Sequence, residues 1–149
     1  MKLIGKGHFS DCWLLEGGKE VLLVGEDPAK EALASFTKKL PKPALWLPKT
    51  EKVGKNEYKQ PFFGPLFGTR NEVYYKSVVA ASIDYCVEFC PRFVIGVASI
   101  PVTAKKELVA LLEHTEIETG LEVFIDPQRD NFSTTHKGKI VFRDIFTCG

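Results

Sequence analysis

The first two dozen residues constrain the fold more than any other stretch of the chain. Leu3-Ile4-Gly5-Lys6-Gly7-His8-Phe9-Ser10-Asp11-Cys12-Trp13, then Gly17-Gly18 and Val21-Leu22-Leu23-Val24, alternate strand-forming runs with glycine turns. The pattern predicts three successive strands, with an aromatic residue at the tip of the first turn. Two glycines one residue apart let backbone N–H groups come close to a phosphate, and Phe9 can fold under such a loop to exclude water. Gly5, Lys6, Gly7, Phe9 and Ser10 are therefore candidate nucleotide contacts. Leu23 runs against this reading, because a nucleotide-clamping hairpin usually supplies a lysine to the phosphates at that point.

A chain of 149 residues holds one domain, or two very small lobes that share a core. Hydrophobic residues make up 44% and charged residues 26%, the balance of an ordinary soluble globular protein. The formal net charge of +1 argues against a nucleic-acid partner held by bulk electrostatics. No apolar run has membrane-spanning length and Met1-Lys2 leads straight into strand-like sequence, so neither a membrane anchor nor a signal peptide is expected. Cys12, Cys86, Cys90 and Cys148 have no Cys-x-x-Cys spacing. Cys86 and Cys90 lie one helical turn apart in an apolar stretch and are expected to be buried free thiols in a reducing cytosol.

Further along, Asp27-Pro28 reads as an N-cap and first turn for a short helix whose apolar stripe is Leu33 and Phe36, ended by Pro41 and Pro43. Thr50 to Val53 and Glu57 to Gln60 predict a strand pair turned at Lys55-Asn56. Pro61-Phe62-Phe63-Gly64-Pro65-Leu66-Phe67-Gly68 is too rich in proline and glycine to continue a ladder. It is read as a linker (61–71) whose phenylalanines pack against something. A long helix follows from about Glu72 to Phe89, stopped by Pro91. Phe93 to Val97 is a strand or a buried turn of helix. Thr103 caps a further helix through Leu108, Leu111 and Leu112, closed by Gly120. Leu121 to Ile125, Asn131 to Thr135 and Lys139 to Phe142 are strands, the last two turned at Lys137-Gly138. The fold class is α+β: residues 1–60 are β-rich, and 72–149 are mainly helical with a terminal hairpin.

The second informative block is Ile125-Asp126-Pro127-Gln128-Arg129-Asp130-Asn131-Phe132, answered across the hairpin by Phe142-Arg143-Asp144-Ile145-Phe146. Asp126, Asn131 and Asp144 should converge at one end of that hairpin. A carboxylate that can take a hydroxyl proton, with an amide and a second carboxylate that can share a magnesium ion, is the equipment of phosphoryl transfer. The competing reading of such loops is ordinary turn chemistry.

Both ends of the chain resemble the protein kinase fold, and more specifically the early serine/threonine kinases of lytic podophages. The resemblance rests on Leu3 to Ser10, Val21 to Gly25 and Phe124 to Phe146. It implies a truncated two-lobed kinase-like fold with a catalytic aspartate at Asp126, magnesium ligands at Asn131 and Asp144, and ATP and Mg2+ as cofactors. It further implies a role in host takeover, with a host protein in the host cell cytoplasm as substrate or inhibited target.

Several residues depart from that family's pattern. Ser10 replaces the third loop glycine. Leu23 replaces the strand lysine, leaving Glu31, the nearest candidate helix glutamate, without a partner. Lys6 or Lys19 would be the substitutes. Gln128 stands where a lysine or histidine is usual, and Pro61 brings no N–H to the segment expected to meet adenine. The chain ends soon after Asp144, before the segments expected to hold a peptide. No role is expected for His114 or His136. Three functions follow: an active minimal kinase, a pseudokinase that binds and inhibits a host enzyme or defence factor, or an unrelated α+β domain whose glycines and aspartates only make turns.

Overall fold

The computed structural model describes residues 1–7, 9–84 and 90–149. His8, Cys86 and the expected helix end at Phe89 lie outside the described residues. The architecture is mixed α+β with antiparallel sheets. Strands β1 (Lys2–Lys6), β2 (Asp11–Leu14) and β3 (Glu20–Val24) are followed by helix α1 (Pro28–Lys39), then β4 (Glu51–Gly54) and β5 (Glu57–Pro61). They form one five-stranded sheet in the order β1-β2-β3-β5-β4, all neighbours antiparallel. Next come β6 (Gly64–Pro65), α2 (Thr69–Asp84), α3 (Pro91–Val97) and α4 (Val102–Thr119). The chain ends in β7 (Val123–Ile125), a 3-10 turn (Arg129–Asn131), β8 (Phe132–Thr134), β9 (Ile140–Phe142) and β10 (Phe146–Cys148). These make a β6-β8-β9 sheet and a β10-β7 pair.

Helix α1 begins where the sequence says it should. The Asp27 carboxylate accepts hydrogen bonds from the Ala29 and Lys30 N–H groups, and Pro28 takes the first helical position. Successive residues of α1 face different partners. Leu33 joins the larger core cluster with Leu108, Leu111, Leu112 and Phe142, while Ala34 joins Leu23 and Tyr58 under the five-stranded sheet. The helix thus lies between the sheet and α4. The segment after it is held by one side chain: the Glu107 carboxylate on α4 accepts the N–H groups of Leu45, Trp46 and Leu47 at 3.0, 2.7 and 3.0 Å. Trp46 also donates its indole N–H to Thr103 Oγ1, and its carbonyl accepts the Phe142 N–H.

Four expectations are corrected. The stretch 61–68 is not a free linker: Pro61 ends β5 opposite Glu20, and Gly64-Pro65 pair with Thr134 and Ser133. β6 is an edge strand, where a residue without an N–H costs no ladder bond. In the stretch 61–68 Leu66 is buried, whereas Phe62 and Phe67 are exposed. Helix α4 starts at Val102 after Pro101, and the Thr103 hydroxyl is taken by Trp46 instead of capping it. Cys90 is exposed, not buried; of the two readings left open for Phe93 to Val97 the helical one holds. The turn at Asn56 (φ 56°) and the left-handed Gly120 that closes α4 are as expected. Among the described residues no helix is long and apolar enough to cross a membrane.

Glu107→Ala removes the acceptor for three main-chain donors. It is expected to lower unfolding stability by about 2 kcal/mol, with a smaller loss in Glu107→Gln, measured by urea titration.

Candidate functional site

Asp126 and Asn131 flank the tight passage from β7 to β8. The Asp126 N–H donates to the Ile145 carbonyl at 2.8 Å, which ties the residue after β7 to the residue after Asp144. Asn131 Nδ2 donates to the Asp126 carbonyl at 2.8 Å, and the Asn131 carbonyl accepts from the N–H groups of Arg143 and Asp144 at 2.9 and 3.1 Å. Asp126, Asn131 and Asp144 are therefore brought together at one end of the hairpin by four main-chain or amide bonds. The Asp126 carboxylate is half-buried and, among the described residues, makes one long contact, 3.4 Å, with the Gln128 N–H. That leaves it able to accept a proton from an incoming hydroxyl.

A residue that sequence reasoning missed completes this group. Lys30, on the first turn of α1, is 2% exposed, and its Nζ lies 3.0 Å from Asp144 Oδ1, whose side chain is 35% exposed. Asp27, beside it, has a carboxyl pushed up chiefly by burial. The Lys30 ammonium opposes that rise and the Asp144 carboxylate adds to it. The signal for Lys30 lay in the helix phase. It sits three residues before Leu33, on the buried stripe, and at a helix N-terminus where the backbone dipole disfavours a cation. A lysine in that place needs a counter-charge from elsewhere.

The glycine hairpin reaches this group through β2. Gly5 and Lys6 pair with Cys12 and Asp11, and the Gly7 N–H donates to the Ser10 carbonyl at 2.7 Å. The Cys12 thiol is pushed up by burial, against the lowering pull of Arg143 and Lys30, so β2 lies within electrostatic reach of the ion pair. Phe9 is exposed, not folded under the loop. Its carbonyl packs on Gly25 (φ 155°), where any Cβ would be driven into it. Lys6 and Lys19 are exposed and form no ion pair with the described residues. Leu23 is buried in apolar contacts. Glu31 does have a partner: it pairs with Lys52 on β4. His114 also has one, with Nε2 2.7 Å from Ser35 Oγ and the ring against Phe36, joining α4 to α1, whereas His136 is exposed.

Arg129 is turned away from Asp126. It pairs with Glu72 on α2, donates to the Leu66 carbonyl and stacks over Tyr75, while Arg143 donates to the Asp130 carbonyl. Among the described residues no three His, Cys, Asp or Glu side chains cluster to hold a metal. The oxygens present still fit one cation type. With Nδ2 spent on Asp126, Asn131 Oδ1 accepts no hydrogen bond from the described residues, and Asp144, bonded to Asn131 through the main chain, offers a carboxylate of which Oδ1 is taken by Lys30. Magnesium needs only one or two such protein ligands when substrate phosphates supply the rest. A pocket of about 20 Å3 lies behind Asp144, lined by Ala29, Leu33 and Phe146. A cavity of about 730 Å3 lies on the other side of α1, lined by Ser35, Lys38, Pro41, Thr50 and Glu51, away from Asp126. No family model matches the chain, and no curated protein shows significant similarity to it.

Because the folded Asp27 carboxyl is pushed above its ordinary value, the native state takes up its proton first as pH falls from neutrality. Wild type should therefore gain stability relative to Asp27→Asn, which keeps a capping acceptor without the charge. Paired urea midpoints at pH 7 and pH 5 check this; a gap that moves the other way in acid refutes it.

Proposed function

We propose that this chain is a protein-kinase-like phosphotransferase of the podophage early type. It would carry a phosphoryl group from ATP to hydroxyls of a host protein in the host cell cytoplasm. The observation that carries the reading is the bonded trio of Asp126, Asn131 and Asp144, held so that one carboxylate is free to take a proton and two side chains present oxygens. Supporting it are the glycine hairpin that opens the five-stranded sheet and the ion pair that ties α1 to Asp144. In this reading Asp126 accepts the hydroxyl proton, and Asn131 and Asp144 hold magnesium on the phosphates. Gly5 and Gly7 let the loop backbone approach ATP.

A second reading is favoured by a specific observation, the burial of Leu23 among apolar side chains where the resemblance implies a phosphate-binding lysine. Here the chain is a pseudokinase that binds and inhibits a host enzyme or defence factor. Pro61, at the end of β5, adds to it, although the main-chain donor after it passes to Phe62, which bonds the Lys19 carbonyl, and then to Phe63.

Labelled ATP, magnesium and host extract separate the two. The active enzyme transfers label, and Asp126→Ala lowers transfer by roughly 10²- to 10⁴-fold, the range for loss of a general base. Equal labelling in both proteins refutes catalysis, and the absence of any melting shift at millimolar ATP selects the pseudokinase.

A further inference from the structure

Among the described residues Lys30 is the one buried cation. Its ammonium has a single acid partner, Asp144, at 3.0 Å. Asp27, the other carboxylate in its field, has its Oδ1 committed to the Ala29 and Lys30 N–H groups of the helix cap. Arg143, the second cation that acts on Cys12, is engaged with the Asp130 carbonyl. Lys30 is thus compensated by two carboxylates, Asp144 in direct contact and Asp27 through the field of the helix cap.

A divalent cation on Asp144 would break that balance. The Asp144 carboxylate would then be shared between the metal and the ammonium, and Lys30 would lose its direct partner, with Asp27 alone left in its field. A buried charge without a partner is strongly unfavourable, so an anion brought in beside the metal would be drawn to Nζ. Phosphate oxygens are such an anion, and they arrive on the same metal. We propose that Lys30, carried on α1, binds the nucleotide's phosphates, leaving Asp144 to magnesium and taking a phosphate oxygen in its place. The positive charge missing at Leu23 is supplied from the helix instead of from β3. This inference rests on the nucleotide-binding reading above.

The test compares the affinity of the full chain for adenosine and for ADP with magnesium, by calorimetry. In wild type the diphosphate should add roughly 10- to 100-fold over adenosine, the worth of a charge-assisted contact. In Lys30→Met that increment should fall by roughly 10-fold, with adenosine affinity unchanged. Lys30→Arg should restore part of it. A merely structural lysine would move both ligands together. If Lys30→Met keeps the full increment, the inference is wrong and nucleotide binding stands. If wild type binds neither ligand, the nucleotide-binding reading itself fails and takes the inference with it.

Discussion

A lysine ammonium withdrawn from water must find a counter-charge, and Lys30 finds it 114 residues away in Asp144. That requirement fixes where α1 stands against the C-terminal hairpin, and the rest of the arrangement follows. The same first turn is capped by Asp27, so the helix start, the ion pair and the end of β9 are set by one small group of charges. The pair is asymmetric. Removing Lys30 leaves a carboxylate that still reaches solvent, whereas removing Asp144 leaves a buried ammonium with Asp27 alone in its field, the costlier loss. Stability therefore depends more on the partly exposed member than on the buried one.

Much of the sheet was legible because its signals are local. Glycine turns at 17–18, the turn at Lys55-Asn56 and runs such as Val21 to Val24 mark strands without knowledge of what they pack against. The cap at Asp27-Pro28 is equally local. The failures came where a distant partner decides the outcome. Gly64-Pro65 form a strand only because Ser133 and Thr134 lie alongside. Thr103 is a poor guide to the start of α4 because Trp46 takes its hydroxyl from outside the helix. β10 is three residues long, too short for any periodicity to announce it, and exists by pairing with β7.

The candidate site divides along the same line. Asp126, Asn131 and Asp144 were visible because each sits next to a short apolar strand and the hairpin between them closes by familiar turn chemistry. Lys30 was hidden because a lysine near a helix start reads as a solvated charge, and its partner lies at the other end of the chain. Glu31 and Lys30 differ by one position, or 100° of helix rotation, and that step separates an exposed pair with Lys52 from a buried one with Asp144. Glu107 was hidden for a related reason: its three partners are main-chain N–H groups, which leave no trace in side-chain pattern.

Helix α1 is shared between the two clusters and α4. Ala34 belongs to the sheet's cluster, Leu33 to the helical cluster, and Ser35 and Phe36 meet His114 on α4. A helix shared in this way cannot melt or swing without opening both cores at once. The sheet and the helical half should therefore come apart together, as one cooperative transition, although their side chains form two separate clusters.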